Sequence, residues 1–121
     1  MEKKILVVDD EEDIRTLLTT SFESQGYQII SAADGTQGWE MLKNHKPDLL
    51  ITDVNMPGIN GIELLKKVRE DSDLKDMPVI MLTGKSADEE ILSGLSQGAD
   101  HYITKPFTIK TVLNTVKMVF G

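Results

Sequence analysis

Four points along the chain bear side chains able to hold a cation or a phosphoryl group, and each lies at the end of a short apolar run. Asp9-Asp10 follow Ile5-Leu6-Val7-Val8, and Asp53 follows Leu49-Leu50-Ile51-Thr52. Thr83 follows Val79-Ile80-Met81-Leu82, and Lys105 follows Tyr102-Ile103-Thr104. Brought together, the three carboxylates need company: two of them about 4 Å apart repel by roughly 4 kcal/mol at an effective dielectric near 20, and one lysine offsets only part of that. A hard divalent cation relieves the rest. An all-oxygen ligand set without thiolate or imidazole points to Mg²⁺, with Mn²⁺ as a substitute, rather than zinc. Mg²⁺ keeps several waters and shares its sites with phosphate oxygens, so the chemistry implied is a metal and a phosphoryl group bound side by side.

Other readings of these residues account for less. Glu11, Glu12 and Asp13 suit the positive end of a helix, but Asp9 and Asp10 fall where a buried strand should end. Taken alone, Thr83 is a strand-end threonine, Tyr102 a core aromatic, and His45 and His101 surface residues without metal-ligand spacing. No glycine-rich loop follows the first apolar run, which excludes a P-loop or a dinucleotide fingerprint. An acidic loop stands there instead.

The elements that must position these residues alternate in type. Ile5–Val8, Tyr27–Ala32, Leu49–Thr52, Val79–Leu82 and Tyr102–Thr104 read as strands. Between and after them the spacing predicts five helices. Asp13–Ser24 has Ile14, Leu17, Leu18 and Phe22 on one face, and Thr36–Asn44 is capped by Asp34 and buries Trp39 and Leu42. A third helix is built on Ile62, Leu64, Leu65 and Val68, and a fourth spans Ala87–Gln97. The last carries the stripe Ile109, Val112, Leu113, Val116 and Phe120. Met56-Pro57-Gly58 is a turn. Gly38 inside the second helix should weaken it by ~1 kcal/mol relative to alanine. The βαβαβαβαβα order implies an α/β fold, a parallel sheet with helices on both faces. Right-handed crossovers leave few topologies, and a five-stranded doubly wound sheet of order 2-1-3-4-5 is the natural choice. In such sheets ligands bind at the carboxyl ends of the strands near the switch point, where Asp9, Asp10 and Asp53 would converge.

Bulk properties agree. A chain of 121 residues fits one domain, and a single domain over 1–121 with no output domain attached is expected. Its net charge of −7 and lack of a basic stripe argue against direct nucleic-acid binding. It has no cysteine, so disulfide and thiolate chemistry are excluded. No run approaches the ~20 apolar residues of a membrane span, and the apolar start is too short for a secretory signal. A cytoplasmic protein without membrane insertion is expected.

The residues match a family. The segments Ile5-Leu6-Val7-Val8-Asp9-Asp10-Glu11, Asp48-Leu49-Leu50-Ile51-Thr52-Asp53, Met56-Pro57-Gly58 with Gly61, Val79–Thr83 and Gly98–Phe107 closely resemble the receiver domain of two-component response regulators. They run over essentially the whole chain in the family's order and spacing. The resemblance implies a flavodoxin-like fold and a role for each residue. Asp53 is the phosphoacceptor, taking a phosphoryl group from the phosphohistidine of a sensor histidine kinase or a histidine phosphotransfer protein. Asp10 ligates Mg²⁺, Asp9 does so directly or through water, and Asp53 and the backbone carbonyl of Asn55 complete the protein ligands. Lys105 pairs with Asp53 and then with the phosphoryl oxygens, and Thr83 hydrogen-bonds the phosphoryl group. Tyr102 turns inward when Thr83 moves, and the Lys105–Pro106 peptide bond is cis. The consequence is a switched surface for a downstream protein target. Self-phosphorylation and autodephosphorylation are its only reactions, so it is not a turnover enzyme.

Some positions depart from the commoner pattern or leave alternatives open. Gly84 replaces a small residue, often alanine, and should leave the phosphoryl group open and the loop looser. Asn55 and Lys85 are candidates for setting phosphoryl lifetime. The chain could be a receiver that acts alone or the receiver fragment of a longer DNA-binding regulator. A related aspartate-nucleophile phosphatase would want a second acid two residues after Asp53, where Asn55 stands. A degenerate scaffold is disfavoured by the full set Asp10, Asp53, Thr83 and Lys105.

Overall fold

Alternating side chains explain how the apolar runs become a sheet buried on both sides. The computed structural model describes residues 2–84 and 98–121. The helix expected over Ala87–Gln97 and the position of Lys85 lie outside the described residues. Among these, the chain runs β1 (Lys4–Val8), α1 (Glu12–Glu23), β2 (Gln28–Ala32), α2 (Gly35–His45), β3 (Leu49–Asp53), α3 (Gly61–Glu70), β4 (Val79–Thr83), β5 (His101–Thr104) and α4 (Ile109–Phe120). All five strands are parallel, in the order β2-β1-β3-β4-β5, as the sequence leads one to expect. Successive strand residues point to opposite faces. Ile5, Val7, Leu49, Ile51, Ile80 and Leu82 therefore pack with Leu18 and Phe22 of α1 and Val112 and Val116 of α4. Leu6, Val8, Leu50, Val79 and Met81 pack on the other side with Leu42 of α2 and Leu64, Leu65 and Val68 of α3.

Local chemistry fixes the helix starts. The Asp34 carboxylate accepts from the Gln37 amide at 2.8 Å, as the sequence suggests for α2. Asn60 and Glu63 form a reciprocal capping box at the start of α3. The Thr108 hydroxyl accepts from the Thr111 amide at the start of α4. α1 has no side-chain cap; Glu12 and Asp13 sit in its first turn instead.

Packing overrides three expectations. Leu17 is 47% exposed rather than core, because it lies at the flank of the α1 stripe, away from Leu18 and Phe22. Trp39 is only half-buried, its ring flanked by the ammonium groups of Lys43 and Lys67 at 5.5 and 5.4 Å. Met118 is exposed. Gly38 is a packing requirement rather than a weak point: a Cβ there would stand 2.9 Å from a methyl of the fully buried Val8. Its absence lets α2 rest on β1. No described helix is long and apolar enough to cross a membrane.

Candidate functional site

β1 and β3 are adjacent, and β3 pairs in turn with β4. Parallel register brings the carboxyl ends of all three level, so that Asp53 pairs with Leu82 and the residues just beyond each strand share one crevice. Hydrogen bonds past the strand ends keep it in shape: the Val54 amide donates to the Leu82 carbonyl at 3.0 Å, and the Lys105 amide to the Thr83 carbonyl at 2.6 Å. The first turn of α3 packs on the backbone just below it, the Gly61 amide donating to the Val54 carbonyl at 2.9 Å. Gly61 lies so close to Asp53 that a Cβ would stand 2.2 Å from the Asp53 carbonyl oxygen, which leaves glycine as the residue that fits.

Within that crevice one carboxylate oxygen each from Asp9, Asp10 and Asp53 lie within 4.8 Å of one another. Their surroundings differ. Asp9 is fully buried; one of its oxygens accepts from the Glu11 amide at 2.9 Å and the other from Lys105 Nζ at 3.0 Å. Asp53 is 5% exposed. Asp10 is exposed and its carboxylate has no hydrogen-bond or ion-pair partner among the described residues.

The Lys105 ammonium bridges two acids, at 3.0 Å from Asp9 and 3.5 Å from Asp53. The sequence pairs it with Asp53 alone; the closer hold on Asp9 is a structural finding. Burial by itself would lower the lysine, but the hydrogen bond to Asp9 and the charges of Asp9, Asp53 and Glu11 together raise it above its ordinary value. It is therefore a fixed cation. For Asp53 the balance goes the other way. Burial pushes its pKa up to about 6, the Asp9 and Asp10 charges add to the rise, and Lys105 and the Asn55 amide oppose it.

The remaining site residues take the following places. Thr83 is buried at the end of β4, beside β3. Asn55 is exposed just past Asp53. Tyr102 pairs in register with Met81 on the edge strand β5, and it is 51% exposed. The Lys105–Pro106 bond is cis. A Cβ added at Gly84 meets no atom of the described residues within 4 Å. The sequence reading missed Arg15, whose Nη1 donates to the Asp9 carbonyl at 2.7 Å. One signal was available, since Arg15 is the only basic residue between Lys4 and Lys43.

The donor set suits a hard cation of Mg²⁺ type: oxygen only, three carboxylates converging, and one of them with no other partner among the described residues. Each Asp9 oxygen already accepts one hydrogen bond, which leaves it less free for a cation than the carboxylate of Asp10.

The chain's similarities are consistent over its whole length. The family profile described as the response regulator receiver domain matches residues 5–117. The alkaline phosphatase synthesis transcriptional regulatory protein PhoP of Bacillus subtilis is 44% identical over 119 residues, which is 98% of this chain and 49% of PhoP. The chemotaxis protein CheY1 of Helicobacter pylori is 39% identical over 120 residues, covering 98% of this chain and 97% of CheY1. A high-resolution structure of the chemotaxis response regulator CheY4 of Vibrio cholerae superposes with a TM-score of 0.91 at 35% identity, covering 98% of this chain and 99% of that one. The chain thus spans about half the length of PhoP and nearly all of CheY1.

Proposed function

This chain belongs to the response regulator receiver domain family of two-component signalling, and from that premise we propose that Asp53 is its phosphoacceptor, served by Lys105, Thr83 and a Mg²⁺ ion held by Asp10 and Asp53. The observation that supports this most is the convergence of three carboxylates and one ammonium at the ends of neighbouring strands. Asp9 would assist the metal through a water, and the Asn55 backbone carbonyl would be a further ligand.

In the reaction, an Asp53 carboxylate oxygen attacks phosphorus of a phosphohistidine on a kinase or phosphotransfer protein. The P–O bond forms as the P–N bond breaks. The electron pair stays on the imidazole nitrogen; the ring, protonated at its other nitrogen, leaves as neutral imidazole, and Asp53 becomes an acyl phosphate. Bound Mg²⁺ would neutralise charge on the carboxylates and on the equatorial phosphoryl oxygens. Lys105, already cationic and aimed at Asp53, would pair with a phosphoryl oxygen, and Thr83 would donate its hydroxyl to another. Asp53 needs no separate base, since a carboxyl with a pKa of about 6 is largely ionised at neutral pH. A new group of charge about −1.5 to −2 beside Thr83 would then bias the position of Tyr102, now outside, and with it a partner surface. Residues 1–121 are read as one receiver domain whose role is signalling rather than turnover.

The test is intact mass after incubation with Mg²⁺ and acetyl phosphate. One added phosphoryl group is expected, absent from Asp53→Asn and absent in chelator. No addition to folded wild-type protein would contradict the reading. The similarity to PhoP favours a second context for the same chemistry, a receiver region within a longer transcriptional regulator. The length of the full gene product decides between the two.

A further inference from the structure

Arg15 stands where helix physics alone would not put it. It is the fourth residue of α1, and a cation in the first turn opposes the helix dipole. Its half-buried guanidinium instead reaches back and donates to the Asp9 carbonyl at 2.7 Å. That carbonyl belongs to the peptide joining Asp9 to Asp10. Everything else about Asp9 is also tied: its amide donates to the Ala32 carbonyl at 3.2 Å, and its carboxylate is held by the Glu11 amide and Lys105. Asp10 differs, because among the described residues nothing grips its carboxylate. Its direction depends on the backbone that bears it, and Arg15 holds the peptide plane leading into that residue.

We propose that Arg15 is a positioning residue for the cation and phosphoryl site, fixing the Asp9–Asp10 peptide so that the Asp10 carboxylate stays aimed at Asp53. The inference rests on reading the acid cluster as a Mg²⁺ site. A charge-assisted hydrogen bond from a guanidinium is stronger than one between neutral groups and has a defined direction. Groups one step removed from a metal commonly govern its affinity in this way.

The experiment is a Mg²⁺ titration without phosphoryl donor, followed by ¹H–¹⁵N NMR at the Glu11 and Val54 amides, in wild type, Arg15→Met, Arg15→Gln and Arg15→Lys. Arg15→Met keeps the aliphatic stem and removes the donor, and its Mg²⁺ dissociation constant is expected to rise about tenfold. Its phosphorylation rate with acetyl phosphate at saturating Mg²⁺ should stay within about twofold of wild type, the mark of lost binding without lost chemistry. Arg15→Lys should bind Mg²⁺ more tightly than Arg15→Met. Should Arg15→Met not fold, Arg15→Gln must show the same weakening. Unchanged Mg²⁺ affinity in a folded variant overturns the proposal while leaving the site reading intact. So does a loss of affinity and of saturating rate together that lysine does not relieve. A wild-type protein whose amides ignore Mg²⁺ overturns the site reading and this inference with it.

Discussion

At the residue scale, the burial and acidic neighbours of Asp53, the proposed phosphoacceptor, make it costly to the unliganded fold. Burial and the neighbouring acids raise its pKa from the ordinary 3.8 to about 6. A carboxyl raised on folding binds a proton more readily in the native than in the unfolded chain, so its contribution to stability falls as pH rises between about 4 and 6. Above 6 the penalty is complete, with an upper limit of about 3 kcal/mol for a shift of this size. Asp53→Asn removes the charge and keeps the shape. In chelator at pH 7.5 it should be more stable than wild type by about 1–3 kcal/mol. The gap should narrow as pH falls through 6 and close toward pH 4. Urea denaturation of both proteins across that range measures it, and a gap independent of pH would show that Asp53 is not the group under strain. The comparison cancels groups common to both proteins, such as Asp71, whose pKa is lowered chiefly by its hydrogen bond from Lys43.

At the scale of elements, a single guanidinium ties the far edge of the sheet. Arg69, near the end of α3, donates through Nε and Nη2 to the Gly98 carbonyl at 2.9 and 2.6 Å. Nη1 donates to the Lys75 and Met77 carbonyls at 3.0 and 2.6 Å. Nη2 also meets Asp100, whose carboxylate accepts from the Val79 amide. The end of α3, the approach to β4 and the approach to β5 therefore share one hub with three-quarters of its side chain out of solvent. Arg69→Met leaves several carbonyls without a donor and should lower stability by about 2–4 kcal/mol. Arg69→Lys should restore less than half of that, because an ammonium cannot reproduce the planar fork. Urea midpoints of the three proteins test both statements; a lysine variant equal to wild type would reduce the hub to simple charge. None of this was legible in the sequence, where Arg69 is one basic residue among several on a helix. What was legible depended on period and punctuation. Alternation and short apolar runs gave all five strands within a residue or two and the Asp34 cap; the strand order was one of the few that right-handed crossovers allow and came with the resemblance to the receiver family, and the placement of Asp9, Asp10 and Asp53 at one edge followed from it. Side-chain reach did not follow. The bond from Lys105 to Asp9 spans 96 positions, and the packing that needs Gly38 and Gly61 is set by Val8 and the Asp53 backbone, which no local window contains.

At the scale of the whole molecule, a net charge of −7 and a crevice of three acids make the protein's stability depend on what cations surround it. Two effects overlap. Any salt screens the diffuse self-repulsion of the surface, while an ion bound only by the native state adds RT ln(1 + [L]/Kd). They separate at constant ionic strength. Replacing part of the NaCl by MgCl₂, with ionic strength held fixed, should raise the urea midpoint, reaching about 2.7 kcal/mol of added stability when Mg²⁺ stands at one hundred times its dissociation constant. The slope with denaturant should not change, because binding adds no surface to be exposed on unfolding. Asp10→Asn should abolish the Mg²⁺-specific part and keep the response to NaCl, since it removes one ligand and only one of the twenty acids that set the overall field. Equal responses of wild type and Asp10→Asn to Mg²⁺ would mean that the ion acts on the charged surface at large, and that the acid cluster, however well its geometry suits a hard cation, does not hold one.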